Sequence, residues 1–286
     1  MNTLVVRVLL VVGILFAFPV CAQEAPRRTD ELMQLSGLNR QLAQVKDQMK
    51  AGALDGRERA KTTPGAVQLS DEEFARIVTA MERAYAPATL QASMSKELGR
   101  ILPAADERAA LEWLSSDLGR KFTAIEESSG ETEAMTRGMR EAPAHLATVP
   151  KPRVELFQRM VDAIRGGEGL ASIVINTSVG VAVGVSLANP KSLEPEAMAK
   201  VFRDKLEPQR PQLVAYFARQ VLEMYAYIYR DMPDADVARY VAFAETPAGR
   251  NYHEATIKAM DRVFALASVD LGRKFQELRP EPPRRS

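Results

Sequence analysis

Two turns of one pattern are the first residues in this sequence that could bind a ligand. In each, a Ser or Thr lies three positions before a Gly, and an Arg follows the Gly. The hydroxyl can cap a helix, the Gly leaves backbone N–H groups open to an anion, and the Arg adds positive charge. The predicted ligand-binding residues are Gly119 and Arg120, after Ser116, and Gly249 and Arg250, after Thr246.

The same pattern also has a purely structural interpretation. A residue without a Cβ lets another backbone approach closely, and an Arg at a helix start can pair with a local carboxylate. We favour this tight corner between helices as the interpretation. An anion-binding site at the turn is the alternative.

Residue types that commonly carry catalysis or bind metals are few in this chain. His145 and His253 are the two histidines, and neither belongs to an HxxxH or HExxH spacing. Cys21 is the single cysteine, and no Gly-x-Ser-x-Gly elbow is present. Residues 165–169 are Gly-rich but lack the Lys-Ser/Thr of a phosphate-binding loop. We therefore predict no catalytic residue, no metal and no cofactor.

Carboxylates are abundant and leave one enzymatic alternative. A run of this kind usually forms a solvated helix face. Paired carboxylates can nevertheless perform general acid–base chemistry, so a carboxylate-dependent hydrolase with a groove between repeats stays the enzymatic alternative. The densest run contains Glu126, Glu127, Glu131 and Glu133.

The first 22 residues have the form of an export signal. Arg7 supplies positive charge, an apolar run follows over Leu9–Val20, and Val20–Ala22 offers a cleavage site before Gln23. An uncleaved anchor and a lipid-modified Cys21 are the alternatives. The pattern predicts a periplasmic or secreted protein.

Cleavage would leave a neutral chain without cysteine. The 264 remaining residues carry 37 basic and 37 acidic side chains, and 46% of the full chain is apolar. Such a chain can bury a large core and must rely on packing alone, since no disulfide is available. The balanced charge argues against nucleic acid as a partner.

Apolar residues recur at helical spacing along almost the whole chain, and period-two alternation is lacking. An apolar stripe over 32–49 predicts a helix, and 51–69 is expected to be a polar linker. Ser70 with Glu73 forms a capping box at the next helix start. The predicted fold class is all-α.

Two segments 130 positions apart share their spacing. Pro103 matches Pro233, and the two Gly-Arg turns described above fall in register. A duplicated helical unit explains the match. We predict a signal peptide at 1–22, helical repeat 1 at 23–145, helical repeat 2 at 153–279, and a disordered tail at 280–286.

Residues 170–188 contain no charge and are just long enough, at 19 residues, to cross a bilayer. Gly180 and Gly184 have the GxxxG spacing of closely packed helices. The centre of a helical bundle is the favoured interpretation. Insertion into a membrane or a partner is the alternative.

Two short motifs resemble the exported bacterial family catalogued as domain of unknown function 2059. They are E-L-x-x-L-S-G-L at Glu31–Leu38 and aromatic-x-x-T-P-x-G-R at Phe243–Arg250. The first copy of the turn departs from the motif, with Asp117 where the second has Pro247. The resemblance implies an all-helical envelope protein, in two copies of the domain, and supplies no catalytic residues.

We therefore expect a helical bundle built from two related repeats, exported to the bacterial cell envelope. The favoured function is a non-enzymatic binding, scaffolding or chaperone-like one, with envelope proteins or peptides as partners. The hydrolase and a membrane-acting protein that uses residues 170–188 are the alternatives. The sequence does not define the oligomeric state.

Overall fold

The structure is a computed structural model that describes residues 27–65, 68–186 and 193–278. The predicted signal peptide, Cys21 and the tail at 280–286 lie outside these residues. The described part contains α-helices, one 3-10 turn and no strand, so the predicted all-α class is confirmed.

Seven helices make up the first half of the described chain. They are α1 (Thr29–Leu35), α2 (Leu38–Thr62), α3 (Asp71–Ala84), α4 (Pro87–Ile101), α5 (Ala104–Ser115), α6 (Asp117–Ser129) and α7 (Thr132–Leu146).

Six further helices follow, with a 3-10 turn at Glu207–Gln209. They are α8 (Lys151–Ala163), α9 (Gly166–Ser186), α10 (Pro195–Leu206), α11 (Arg210–Ile228), α12 (Asp234–Ala244) and α13 (Pro247–Glu277).

Local sequence signals set most helix starts. The Ser70 Oγ accepts from the Glu73 backbone N–H at 3.2 Å, and the Glu73 carboxylate accepts from the Ser70 N–H at 2.8 Å. Pro103 and Pro233 immediately precede α5 and α12. The expected linker at 51–69 is wrong over 51–62, where α2 continues. Ion pairs one turn apart support this extension, including Arg59 with Asp55 at 2.7 Å.

Buried apolar side chains form two clusters. The first joins α1–α5 to α9, α10 and α13. The second joins α6 and α7 to α8, α11 and α12. The last helices of the two halves are thus exchanged, since α13 packs on α3, α4 and α5 while α7 packs on α11. Trp113 and Phe243 stack at 5.0 Å where the clusters meet.

The two matching turns have the same geometry. The Gly119 N–H donates to Ser116 Oγ at 3.0 Å, and the Gly249 N–H donates to Thr246 Oγ1 at 2.9 Å. A Cβ on either glycine would lie 2.1 Å from a carbonyl oxygen of the preceding helix. The match supports a duplication of this segment, and the repeat bounds at 23–145 and 153–279 stay predictions.

The uncharged stretch forms most of α9, and its residues 187 and 188 lie outside the described chain. One face is buried, with Ile175 and Val179 at 1% and 0% exposure. The opposite face is open, with Leu170 and Val174 at 36% and 37%. The expected burial therefore holds for one face. Among the described residues, no helix has the length and apolarity to cross a membrane.

We expect Gly249→Ala to lower the free energy of unfolding by about 1–3 kcal/mol, because the new methyl group would overlap a backbone carbonyl. Gly52→Ala is the matched control, since a Cβ there meets nothing within 4 Å. The control should raise stability by about 0.5–1 kcal/mol through helix propensity. Chemical denaturation measures both, and an unchanged midpoint in Gly249→Ala would exclude a close packing corner.

Candidate functional site

A cavity of about 1390 Å³ occupies the centre of the described chain. Its walls come mainly from α2, α6, α7, α9, α11 and α13. Small residues lie among the larger ones on two of these walls, since α9 contributes Gly169, Thr177 and Ser178, and α2 contributes Gly52 and Gly56. At these positions little side-chain volume projects into the cavity.

Large apolar side chains remain exposed where they line the cavity. Met139 is 61% exposed and Met135 is 39% exposed, both on α7. Leu170 and Val174 on α9 add to this apolar edge. Methionine side chains adapt their shape readily, so this edge can accommodate an apolar molecule at the cavity wall.

Glu126 is the most unusual polar group of the cavity. Protein atoms surround the Glu126 side chain on nearly all sides. Part of its surface nevertheless stays accessible, because the side chain faces the cavity. It accepts a hydrogen bond from the Tyr229 hydroxyl. Burial raises the pKa of Glu126 to about 7, and the hydrogen bond from Tyr229 opposes that rise. The carboxyl therefore changes its charge near neutral pH.

The hydrogen-bond partner of this carboxyl, Tyr229, belongs to a cluster of aromatic rings. The Phe122 ring centre lies 5.0 Å from that of Tyr229 and 4.8 Å from that of Tyr240. Tyr225 lies 5.2 Å from Tyr229, and Trp113 lies 5.5 Å from Tyr240. Burial, and next the charge of Glu126, raise the pKa values of Tyr225, Tyr229 and Tyr240 well above 10. These hydroxyls therefore stay neutral.

His253 on α13 adds an unsatisfied polar atom to the cavity wall. Its Nε2 is buried and has no hydrogen-bond partner within the described chain. Burial lowers the pKa of His253 to about 4, so the ring is neutral above that pH. Buried polar atoms without a partner are rare, and this one is covered by protein atoms although other parts of His253 line the cavity.

The predicted ligand-binding residues occupy the two packing corners. Gly119 also lines the cavity. Arg120 donates to the Ser115 carbonyl and to Asp117, the latter at 2.5 Å. Arg250 donates to the carbonyl of Glu245, the residue that follows α12, at 2.5 Å. These contacts describe helix corners, and anion binding at Gly119, Arg120, Gly249 and Arg250 stays a prediction.

The carboxylate run does not form one solvated face. Glu131 and Glu133 are exposed, whereas Glu126 faces inward. Glu126 lies four residues after the buried Phe122, and that spacing places both on one helix face. From this spacing the inward position of Glu126 could have been predicted.

No protein-family model, curated protein or solved structure matches this chain. The resemblance to the family of domain of unknown function 2059 therefore stays a prediction. Within the described chain, no group of three or more His, Cys, Asp or Glu side chains is arranged to hold a metal ion.

Glu126→Gln tests the enclosure of the carboxyl through stability. Between about pH 4.5 and 7 the unfolded chain ionises Glu126 while the folded chain keeps it protonated, so wild-type stability falls as pH rises. The Gln variant lacks this loss. We expect the stability of the variant, relative to that of the wild type, to rise by about 3 kcal/mol between pH 4 and pH 8.

Urea denaturation at several pH values measures the difference. The opposite titration of His253 is common to both proteins and cancels. The exposed Glu112→Gln is the control and should give no such trend. Parallel pH profiles for wild type and Glu126→Gln would show that the carboxyl is solvated in the folded protein.

Proposed function

We propose that this protein is a non-enzymatic binding protein that holds an apolar molecule in its central cavity. The observation that carries the proposal is the cavity of about 1390 Å³ itself, with its mainly apolar lining, its exposed apolar edge and the enclosed carboxyl of Glu126. Pockets for drug-sized molecules measure about 300–1,000 Å³. The larger volume supports a ligand of lipid size.

The distribution of polarity supports binding in one orientation. The apolar edge contains Met135 and Met139, while Glu126 and its aromatic neighbours lie in the enclosed part. Ligand pockets commonly combine apolar walls with a few polar groups that fix the ligand. A long molecule with one polar end matches this arrangement.

The hydrolase alternative receives less support from the same residues. Two further carboxylates line the cavity, Glu127 and Glu223. Each is engaged, by Arg40 at 3.1 Å and by Arg219 at 2.6 Å. In the described part of the chain Glu126 therefore has no second free carboxylate with which to divide acid and base roles.

Export to the cell envelope is part of the proposal, and the pattern of residues 1–22 supports it. A binding protein for apolar molecules would there carry or buffer compounds that do not dissolve freely in an aqueous compartment. Envelope proteins or peptides are the partners expected for the scaffolding and chaperone-like variants of this function.

Filling the cavity should abolish binding. Thr177 lines the cavity from α9, and Thr177→Trp would occupy part of its volume. We expect wild-type protein to bind the apolar fluorophore N-phenyl-1-naphthylamine saturably, and the variant to bind it about tenfold more weakly or worse. Lys200→Trp adds the same ring at an exposed position and should bind as the wild type does. Equal binding by all three proteins would contradict a ligand site in this cavity.

Mass spectrometry of the protein from its native host tests export. The expected mature N-terminus is Gln23 without lipid. A full-length chain that begins at Met1, found in the cytosolic fraction, would refute the envelope location. A lipid on Cys21 would show instead that the exported protein is anchored to a membrane.

A further inference from the structure

We infer that the ligand of this cavity is a cationic amphiphile, an apolar chain that ends in an ammonium group placed beside Glu126. The inference rests on the proposed function and specifies its ligand class. Charge balance and the aromatic rings that line the cavity each point to this chemistry.

Charge balance within the cavity leaves one acid without a counter-ion. Glu126 has a hydroxyl donor as its partner, and no cationic side chain of the described residues lies within ion-pair distance of it. The other acidic and basic lining groups are paired, as Arg40–Glu127 (3.1 Å), Arg59–Asp55 (2.7 Å) and Arg219–Glu223 (2.6 Å).

An enclosed carboxyl without a counter-charge favours a ligand that brings one. Burial disfavours the ionised form of Glu126 and thereby raises its pKa to about 7. A ligand ammonium beside it would stabilise the carboxylate and expel its proton. A ligand carboxylate would instead place like charges together, and the cationic lining groups that could offset them are already paired.

The aromatic rings that line the cavity suit the same cation. Trp113, Phe122, Tyr225 and Tyr240 line the cavity and belong to the aromatic cluster that contains Tyr229, the hydrogen-bond partner of Glu126. The faces of aromatic rings attract cations, and aromatic clusters recognise ammonium groups in other proteins. A carboxyl bonded to such a cluster adds a full negative charge to the weaker attraction of the rings.

Four ligands that share the same alkyl chain and differ in the end group test the inference. Decylamine, decyltrimethylammonium, decanol and decanoate displace the bound fluorophore from wild-type protein at pH 6 and pH 8.5. We expect both cations to bind about tenfold or more tightly than decanol at pH 8.5. The preference should shrink at pH 6, where Glu126 is largely protonated. Decanoate should bind more weakly than decanol at pH 8.5.

Glu126→Gln separates charge from shape, because Gln keeps the size and the acceptor oxygen. We expect the variant to lose both the preference for cations over decanol and the pH dependence of that preference. Glu112→Gln is the exposed control and should keep both. Circular dichroism verifies that each variant is folded.

The possible outcomes separate the two proposals. Equal binding of decylamine and decanol by the wild type would overturn the cationic ligand and leave the apolar binding function intact. Tighter binding of decanoate than of decanol would also overturn the cationic ligand and would indicate an anionic one. Failure of every ligand, and of the fluorophore, to bind would overturn the binding function and the inference together.

Discussion

The packing of α13 is the interaction on which the rest of the structure depends. This helix of 31 residues buries side chains against α9 and also against α3, α4 and α5 of the first half. Val263, Phe264 and Leu271 are almost fully buried there. In turn α7, the last helix of the first half, packs on α11 of the second half. The last helix of each half thus packs against helices of the other half. The cavity lies between these exchanged helices.

A buried polar network fixes how α9 lies on α13. The fully buried Asn176 donates to Asp261 Oδ1 at 2.8 Å and accepts from Arg203 at 2.6 Å. Ser268 donates to the Asn176 carbonyl at 2.8 Å. A shift of one helix past the other would leave these groups unsatisfied, so the network specifies a single register. The cavity face of α9 is thereby held at a constant angle.

Much of the fold could be predicted from local signals in the sequence. The capping box at Ser70, the prolines before α5 and α12, and the glycine corners act over a few residues. The extent of α2 was missed because Gly52 and Gly56 resemble linker residues, although both lie at exposed positions in the second half of this helix. The cavity was missed because it depends on contacts between distant helices. Glu126 reads as one of several surface acids until α11 brings Tyr229 to it.

The exchange of helices also determines the order in which this chain can fold. The first apolar cluster draws on residues from Leu32 to Phe275, so its last member is synthesised long after its first. Contacts between such distant segments slow folding, since loop entropy is lost before the contacts form. The cluster therefore stays incomplete until α13 has been synthesised and has packed on α3, α4 and α5.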